Sequence, residues 1–158
     1  VCSSDLINMA YVESTDLVRG EDMMLYVMVA SVATPIAYAT SNSLSYSLDT
    51  IDTSSKMSGD WKSAMPGQIG WTVSTDSLIS NTSGHVSFAK LEELMAARSP
   101  IDVKFGSVTD ASAEFALDTT KPVRTGKAII TSLEMTSEKG GICTSSITLQ
   151  GNGELVKA

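Results

Sequence analysis

Lys127-Ala-Ile-Ile-Thr-Ser-Leu-Glu-Met-Thr136, a break at Lys139-Gly140-Gly141, and then Ile142-Cys-Thr-Ser-Ser-Ile-Thr-Leu-Gln-Gly-Asn-Gly153 decide the fold. Two runs rich in β-branched residues, separated by a glycine pair, read as two strands joined by a tight turn, with Gly151 and Gly153 closing the second. The stretch holds no cluster of reactive groups. It sets the chain as mainly β and points away from an enzyme.

The reading extends upstream. In Ser43–Leu48, Leu44, Tyr46 and Leu48 share one face and Ser43, Ser45 and Ser47 the other, so one face is expected to meet the core. Ile69, Trp71 and Val73 alternate with Gly70, Thr72 and Ser74 in the same way. Met23-Met-Leu-Tyr-Val-Met-Val-Ala30 is a continuous apolar run of strand length. Ala33-Thr34-Pro35 reads as a turn, Ile36-Ala-Tyr-Ala-Thr40 as the returning strand and Ser41-Asn42 as a second turn.

One segment is helical. Phe88, Leu91, Leu94 and Met95 fall on one face, Ser87 stands at the N-cap, Arg98 suits the negative end of the dipole and Pro100 stops the helix. Ile101, Val103 and Phe105 then alternate as a strand, and 110–122 reads as a loop or irregular edge. The class expected is mainly β: a β-sandwich or small barrel of about seven strands with one flanking α-helix.

Composition agrees. Hydrophobic residues make up 42% and charged residues 18%, below the usual ~25%, while Ser and Thr together number 40. Thr is β-branched and both tolerate half-burial, which suits outward strand faces. The net charge of −7, with basic residues scattered singly, excludes recognition of nucleic acid through its phosphates. Cys2 and Cys143 lie far apart in no metal-like spacing. Cys143 is expected as a small buried strand residue, outside any disulfide framework.

Thr53–Gln68 reads as a long loop carrying Lys56, Met57, Trp61, Lys62 and Met65. A loop this long in a compact domain is functional or disordered, and its large apolar side chains call for a partner surface or a fold back onto the core. Met23–Ala39 is too short for a membrane span and is broken by Ser31, Thr34 and Pro35. Glu21 and Asp22 stand where a signal peptide needs positive charge, so no membrane partner is expected.

Candidate chemistry is sparse. His85, the sole histidine, sits before the helix without a nucleophile elbow and reads as exposed. Asp49 and Asp52 form a weak Asp-x-x-Asp pair at a strand end, and Asp60 lacks the alternating oxygen ligands of a calcium loop. Asn81-Thr-Ser matches a glycosylation acceptor but has no secretory context, and the glycines form no phosphate-binding pattern. No cofactor and no metal are expected.

Residues 1–8 are expected not to be native, because Val1-Cys-Ser-Ser-Asp-Leu is what the end of a common sequencing adapter encodes. Residues 9–22, which lack periodicity, read as a flexible arm, and 23–158 as a single domain.

In order, Met23–Val32, Ile36-Ala-Tyr-Ala-Thr, Asp52-Thr-Ser-Ser-Lys, Ser58-Gly-Asp-Trp, Ile69-Gly-Trp-Thr-Val-Ser and the helix followed by Ser99-Pro-Ile-Asp-Val lead to two closing pieces. These are Gly126-Lys-Ala-Ile-Ile-Thr-Ser-Leu-Glu and Thr148-Leu-Gln-Gly-Asn-Gly-Glu-Leu. This series, over residues 19–158, resembles the TP901-1-like major tail proteins, the tail tube family of long-tailed phages. The resemblance implies a non-enzymatic subunit of the virion tail, made in the bacterial cytoplasm. Such subunits assemble into stacked hexameric rings through which DNA is ejected without specific binding. It implies partners in the tail initiator or baseplate, the tape-measure protein and the terminator. It makes 53–68 the loop that reaches a neighbouring ring, with Lys56, Met57, Trp61, Lys62 and Met65 as its contacts.

An acidic lumen would not hold a polyanion in transit, and Asp49, Asp52, Glu134 and Glu138 are its candidates; a Ser/Thr face would also serve as a wet lining. Two alternatives stand beside this reading: the inner tube of a contractile injection or type VI-like system, and a β-sandwich module binding carbohydrate or protein. The second would want a cluster of exposed aromatics, whereas Tyr38, Tyr46 and Trp71 are expected to face the core.

Overall fold

The computed structural model describes residues 18, 20–36, 38–80, 86–108 and 116–157. A short 3-10 turn, Gly20–Asp22, leads into β1 (Met23–Val29) and β2 (Val32–Pro35). There follow β3 (Ala39–Asp52), β4 (Ala64–Leu78), α1 (Phe88–Ala96), β5 (Ile101–Ser107), β6 (Arg124–Thr136), β7 (Thr144–Gly151) and β8 (Val156–Lys157). All the strands join one sheet in the order β2-β1-β5-β6-β7-β4-β3, with β8 beside β6. Each pairing is antiparallel. The expected class, mainly β with one flanking helix, is what the chain adopts, with eight strands among the described residues.

The sheet curls, and a side chain holds the curl. Asn42 of β3 donates from Nδ2 to the Met23 carbonyl of β1 (3.1 Å) and accepts at Oδ1 from Thr75 Oγ1 (3.1 Å). The enclosed face carries Leu25, Val27, Val73, Val103, Ile130, Ile147 and Leu149, and α1 adds Leu91. Leu91, Ile147 and Leu149 are at most 1% exposed, so each contributes roughly 1.5–3 kcal/mol of apolar burial. Strand alternation produces this pattern: in β7, Ser145, Ile147 and Leu149 are buried while Ser146 and Thr148 are not.

The helix begins as expected after Ser87, although the Ser87 side chain makes no cap hydrogen bond. Leu91 and Leu94 meet the core, whereas Met95 is 39% exposed at the rim. Arg98 terminates the helix through its backbone, adopting φ 54° as its N–H donates to the Met95 carbonyl.

Several expectations about the first half need correction. The β1–β2 reversal is at Ala30-Ser31, not Ala33–Pro35. Both residues have positive φ (50° and 68°), the geometry of a two-residue hairpin turn usually marked by Asn-Gly. The returning strand is therefore β2, and Ile36 makes an isolated parallel bridge to Val86. Ser41-Asn42 is not a turn but lies within β3, just after an irregularity in register between Ala39 and Ser41. Cys143 is half-buried and precedes β7, its Sγ 3.4 Å from Ser137 Oγ. The residues 9–17 of the expected arm, His85 and the 81–83 acceptor motif lie outside the described residues.

Candidate functional site

Two surfaces stand out, and both follow from strand register. The first is the outward face of β3, β4, β7 and β6. Cross-strand partners share a face, so the pairings build continuous rows: Ser41–Asp76–Ser146–Glu134, then Ser43–Ser74–Thr148–Ser132, then Ser45–Thr72–Gln150–Ile129. Asp76 is the fixed charge of the first row. Its carboxylate accepts from Ser41 Oγ (2.9 Å) and Ser146 Oγ (2.8 Å), so hydroxyls on both neighbouring strands hold it. Lys127 stands opposite Asp102 in the β6–β5 ladder.

The second surface is the β3–β4 hairpin. β7 leaves β4 after Thr72↔Gln150, yet β3 and β4 stay paired out to Asp52↔Ala64. Residues 46–52 therefore run beyond the sheet for roughly 23 Å at ~3.3 Å per residue. The expected loop 53–68 is shorter than its sequence suggests, since Ala64 onward is strand and the turn occupies 53–63. Thr53 N–H donates to the Ser63 carbonyl (2.9 Å), and Ser54 Oγ receives the Ser63 N–H (2.9 Å), so hydrogen bonds tie the base of the turn. The turn does not fold back: Met57 is 96% and Trp61 86% exposed. Met65 pairs with Ile51, both about half exposed, and Lys56 and Lys62 are exposed beside them.

The aromatic assignments are corrected here as well. Tyr46 and Leu48 have the parity of the half-buried Leu44, but they lie beyond the end of the core and are 55% and 52% exposed. Ile69, opposite Leu48, is 70% exposed, and Tyr38, in a turn with φ 48°, is 58% exposed. Trp71 alone of the three aromatics is buried, at 4%. Its indole lies against Gly126 and Gly151, where added Cβ atoms would fall 2.8 Å and 2.1 Å from the ring, and Nε1 donates to the Gly153 carbonyl (2.9 Å). The closing glycines are the seat of this ring.

Where the hairpin leaves the sheet, an open cleft of about 820 Å³ forms between Tyr46, Ile69 and Trp71 on one side and Gly151, Glu154 and Leu155 on the other.

The four candidate acids are dispersed, all of them exposed. Glu134 is in the Ser/Thr rows, and Asp49 follows Ser47 by alternation along β3. Asp52, at the end of β3, has the opposite parity; hydrogen bonding from the Ser54 side chain and backbone holds its carboxyl below the usual 3.8. Glu138 lies in the β6–β7 turn, where its carbonyl accepts from Gly141. Asp76 is not among the sequence-based candidates, because its place beside Ser41 and Ser146 comes from strand pairing. Among the described residues no group of three or more His, Cys, Asp or Glu is arranged to hold a metal ion, and no helix is long and apolar enough to cross a membrane.

With the geometry in hand, the chain can be set beside known proteins. No curated protein matches it in sequence. Among solved structures, it is similar to a chain in the tail of an empty gene transfer agent particle refined with C6 symmetry. That similarity has a TM-score of 0.71 at 13% identity, covering 90% of this chain and 99% of that one. It is similar to the SPP1 tail tube, with a TM-score of 0.66 at 16% identity over 89% of this chain and 78% of that one. It is also similar to a chain of the sheath–tube complex of an extracellular contractile injection system, PVC, in its extended state. There the TM-score is 0.62 at 18% identity, over 100% and 99% of the two chains. The family model described as phage tail tube protein matches residues 17–157, nearly the whole chain, so this chain belongs to the phage tail tube protein family, a structural component of the virion tail.

Proposed function

We propose that the chain is a non-enzymatic wall subunit that forms hexameric rings, that the rings stack into a tube, and that DNA leaves the particle through its channel. The observation that carries this reading is the hairpin β3–β4. It stands clear of the sheet with its apolar side chains bare, and such a patch calls for a partner. Among the described residues the sheet also ends at β2 and β3, and ring closure between copies would cover these edges. In this reading Lys56, Met57, Trp61, Lys62 and Met65 contact a neighbouring ring.

The Ser/Thr rows would line the channel. They offer hydroxyls that hydrate well and, in Asp76 and Glu134, charges that repel phosphate. Asp49 extends this lining along β3, whereas Asp52 and Glu138 stand away from it. A channel of this kind passes DNA without binding its sequence. A tail initiator or baseplate, a tape-measure protein and a terminator would begin, measure and end the tube.

The test is negative-stain electron microscopy of the whole chain over a concentration series. Hollow tubes or stacked six-fold rings are the expected result. A monomer at every concentration, with hairpin amides 46–52 and 64–71 as protected from hydrogen exchange as those of β7, would overturn the reading, because the hairpin would need no partner.

A further inference from the structure

The two ends of the sheet are unlike in shape and alike in exposed apolar surface. At the hairpin end, β4 loses β7 as a neighbour, and the cleft between them opens on Tyr46 and Ile69, which are 55% and 70% exposed. Beyond Trp71, no pairing covers the β7 side of β4 among the described residues. Exposed Glu154 stands on the opposite wall. At the other end of β7 is the β6–β7 turn, which presents Ile142 at 70% and Met135 at 55% exposure, with exposed Lys139 at its apex. The turn is anchored: Ile79 N–H donates to the Cys143 carbonyl (3.0 Å) and Gly141 N–H to the Glu138 carbonyl (3.1 Å).

We infer that the cleft receives the β6–β7 turn of a second copy, Ile142 entering between Tyr46 and Ile69 while Lys139 meets Glu154. This rests on the tube reading and identifies the receiving surface of its stacking contact. A concave apolar site faces one way along the strands and a convex apolar turn faces the other. A contact between them is heterologous and leaves a free copy of each surface at the ends of the pair, so it propagates as a stack rather than closing as a dimer. The turn carries Glu138 beside Lys139, so it has no net charge, and the electrostatic match is the single pair of Lys139 at its apex with Glu154 at the cleft. Covering the cleft would also support the projecting strand pair, since a two-stranded hairpin is marginal by itself.

The test uses full-length chains with Cys2→Ser and Cys143→Ser, carrying either Lys139→Cys or Glu154→Cys and tags of different size. Each is mixed, oxidised and run without reductant, and the unmodified chain is imaged in parallel. The expected result is a disulfide-linked pair between the two variants and none within either variant alone. A pair formed by one variant with itself, or no pair in any mixture, overturns the inference. Tubes of the unmodified chain without mixed pairs would remove this contact and keep the tube reading. Mixed pairs without tubes at any concentration would keep the contact and remove the tube. Charge reversal gives a second readout: Lys139→Glu and Glu154→Lys should each lower tube yield about tenfold, and the two together should restore it; equal yields in all four proteins overturn the pairing.

Discussion

Gly151→Ala is a small substitution with a large expected effect. The new Cβ would lie 2.1 Å from Trp71 Cε2, 2.3 Å from Cδ2 and 2.4 Å from Nε1. Non-bonded carbons settle near ~3.5–4 Å, so the indole must retreat by roughly 1 Å or more. That movement breaks the 2.9 Å hydrogen bond from Nε1 to the Gly153 carbonyl. Overpacking costs about 1–3 kcal/mol and the bond about 1, giving a loss of about 2–4 kcal/mol from a total of ~5–15. Equilibrium urea unfolding followed by far-UV circular dichroism measures it. The decisive comparison is a double-mutant cycle with Trp71→Ala, a change that itself costs about 3–5 kcal/mol. With the ring gone, adding Gly151→Ala should cost less than about 0.5 kcal/mol. Gly153→Ala is the control: its φ of 96° makes the cost one of backbone conformation, and nothing lies within 4 Å of its Cβ. An equal cost for Gly151→Ala with and without Trp71 would refute the steric argument.

Trp61→Ser should leave unfolding stability within about 0.5 kcal/mol, since the side chain is 86% exposed, while reducing tube yield in electron micrographs. Asp118 accepts from Thr120 Oγ1 (2.6 Å) and N–H (2.9 Å), and this holds its carboxyl below 3.8. Its contribution is present above the unfolded value and lost as pH falls through the lower folded one. Asp118→Asn should therefore flatten the acid limb of a stability–pH profile measured by urea midpoints. Burial pushes Tyr26 up to about 12, so stability should fall as pH rises from 10 toward 12. Tyr26→Phe should remove that part of the loss, read by the same midpoints.

What could be read in the sequence depended on where side-chain alternation and burial coincide. β5, β6, β7 and α1 were legible because they pack on the core and carry its period, as Val103, Ile130, Ile147 and Leu91 illustrate. The β3–β4 hairpin was only half legible. Leu44, Tyr46 and Leu48 alternate as core residues do, but a period cannot tell where the core stops, and it stops after Leu44. Gly67 and Pro66 disguised β4 as loop; they sit where the register shifts opposite Leu48–Thr50. The Ala30-Ser31 reversal left no trace, because neither residue advertises a positive φ. Asp76 was hidden in plain alternation: its place in the polar rows comes from pairing with β3 and β7, which one strand's sequence does not carry.

Under the proposed assembly, the exposed apolar side chains set how strongly two copies associate. Covering Tyr46, Leu48, Met57, Trp61, Met65 and Ile69 would gain on the order of 1–2 kcal/mol each, since all are half exposed or more. The sum, on the order of 10 kcal/mol, falls within the 4–15 kcal/mol that association costs in lost translational and rotational freedom. One contact between two copies is then close to balance. Each further contact made by a copy already placed in a growing ring or stack loses little additional freedom, so its gain is nearly undiminished. Association with these magnitudes is weak in pairs and strong in arrays. It predicts a steep threshold in concentration and a marked acceleration by preformed ends, whereas a gradual rise through stable dimers would contradict it.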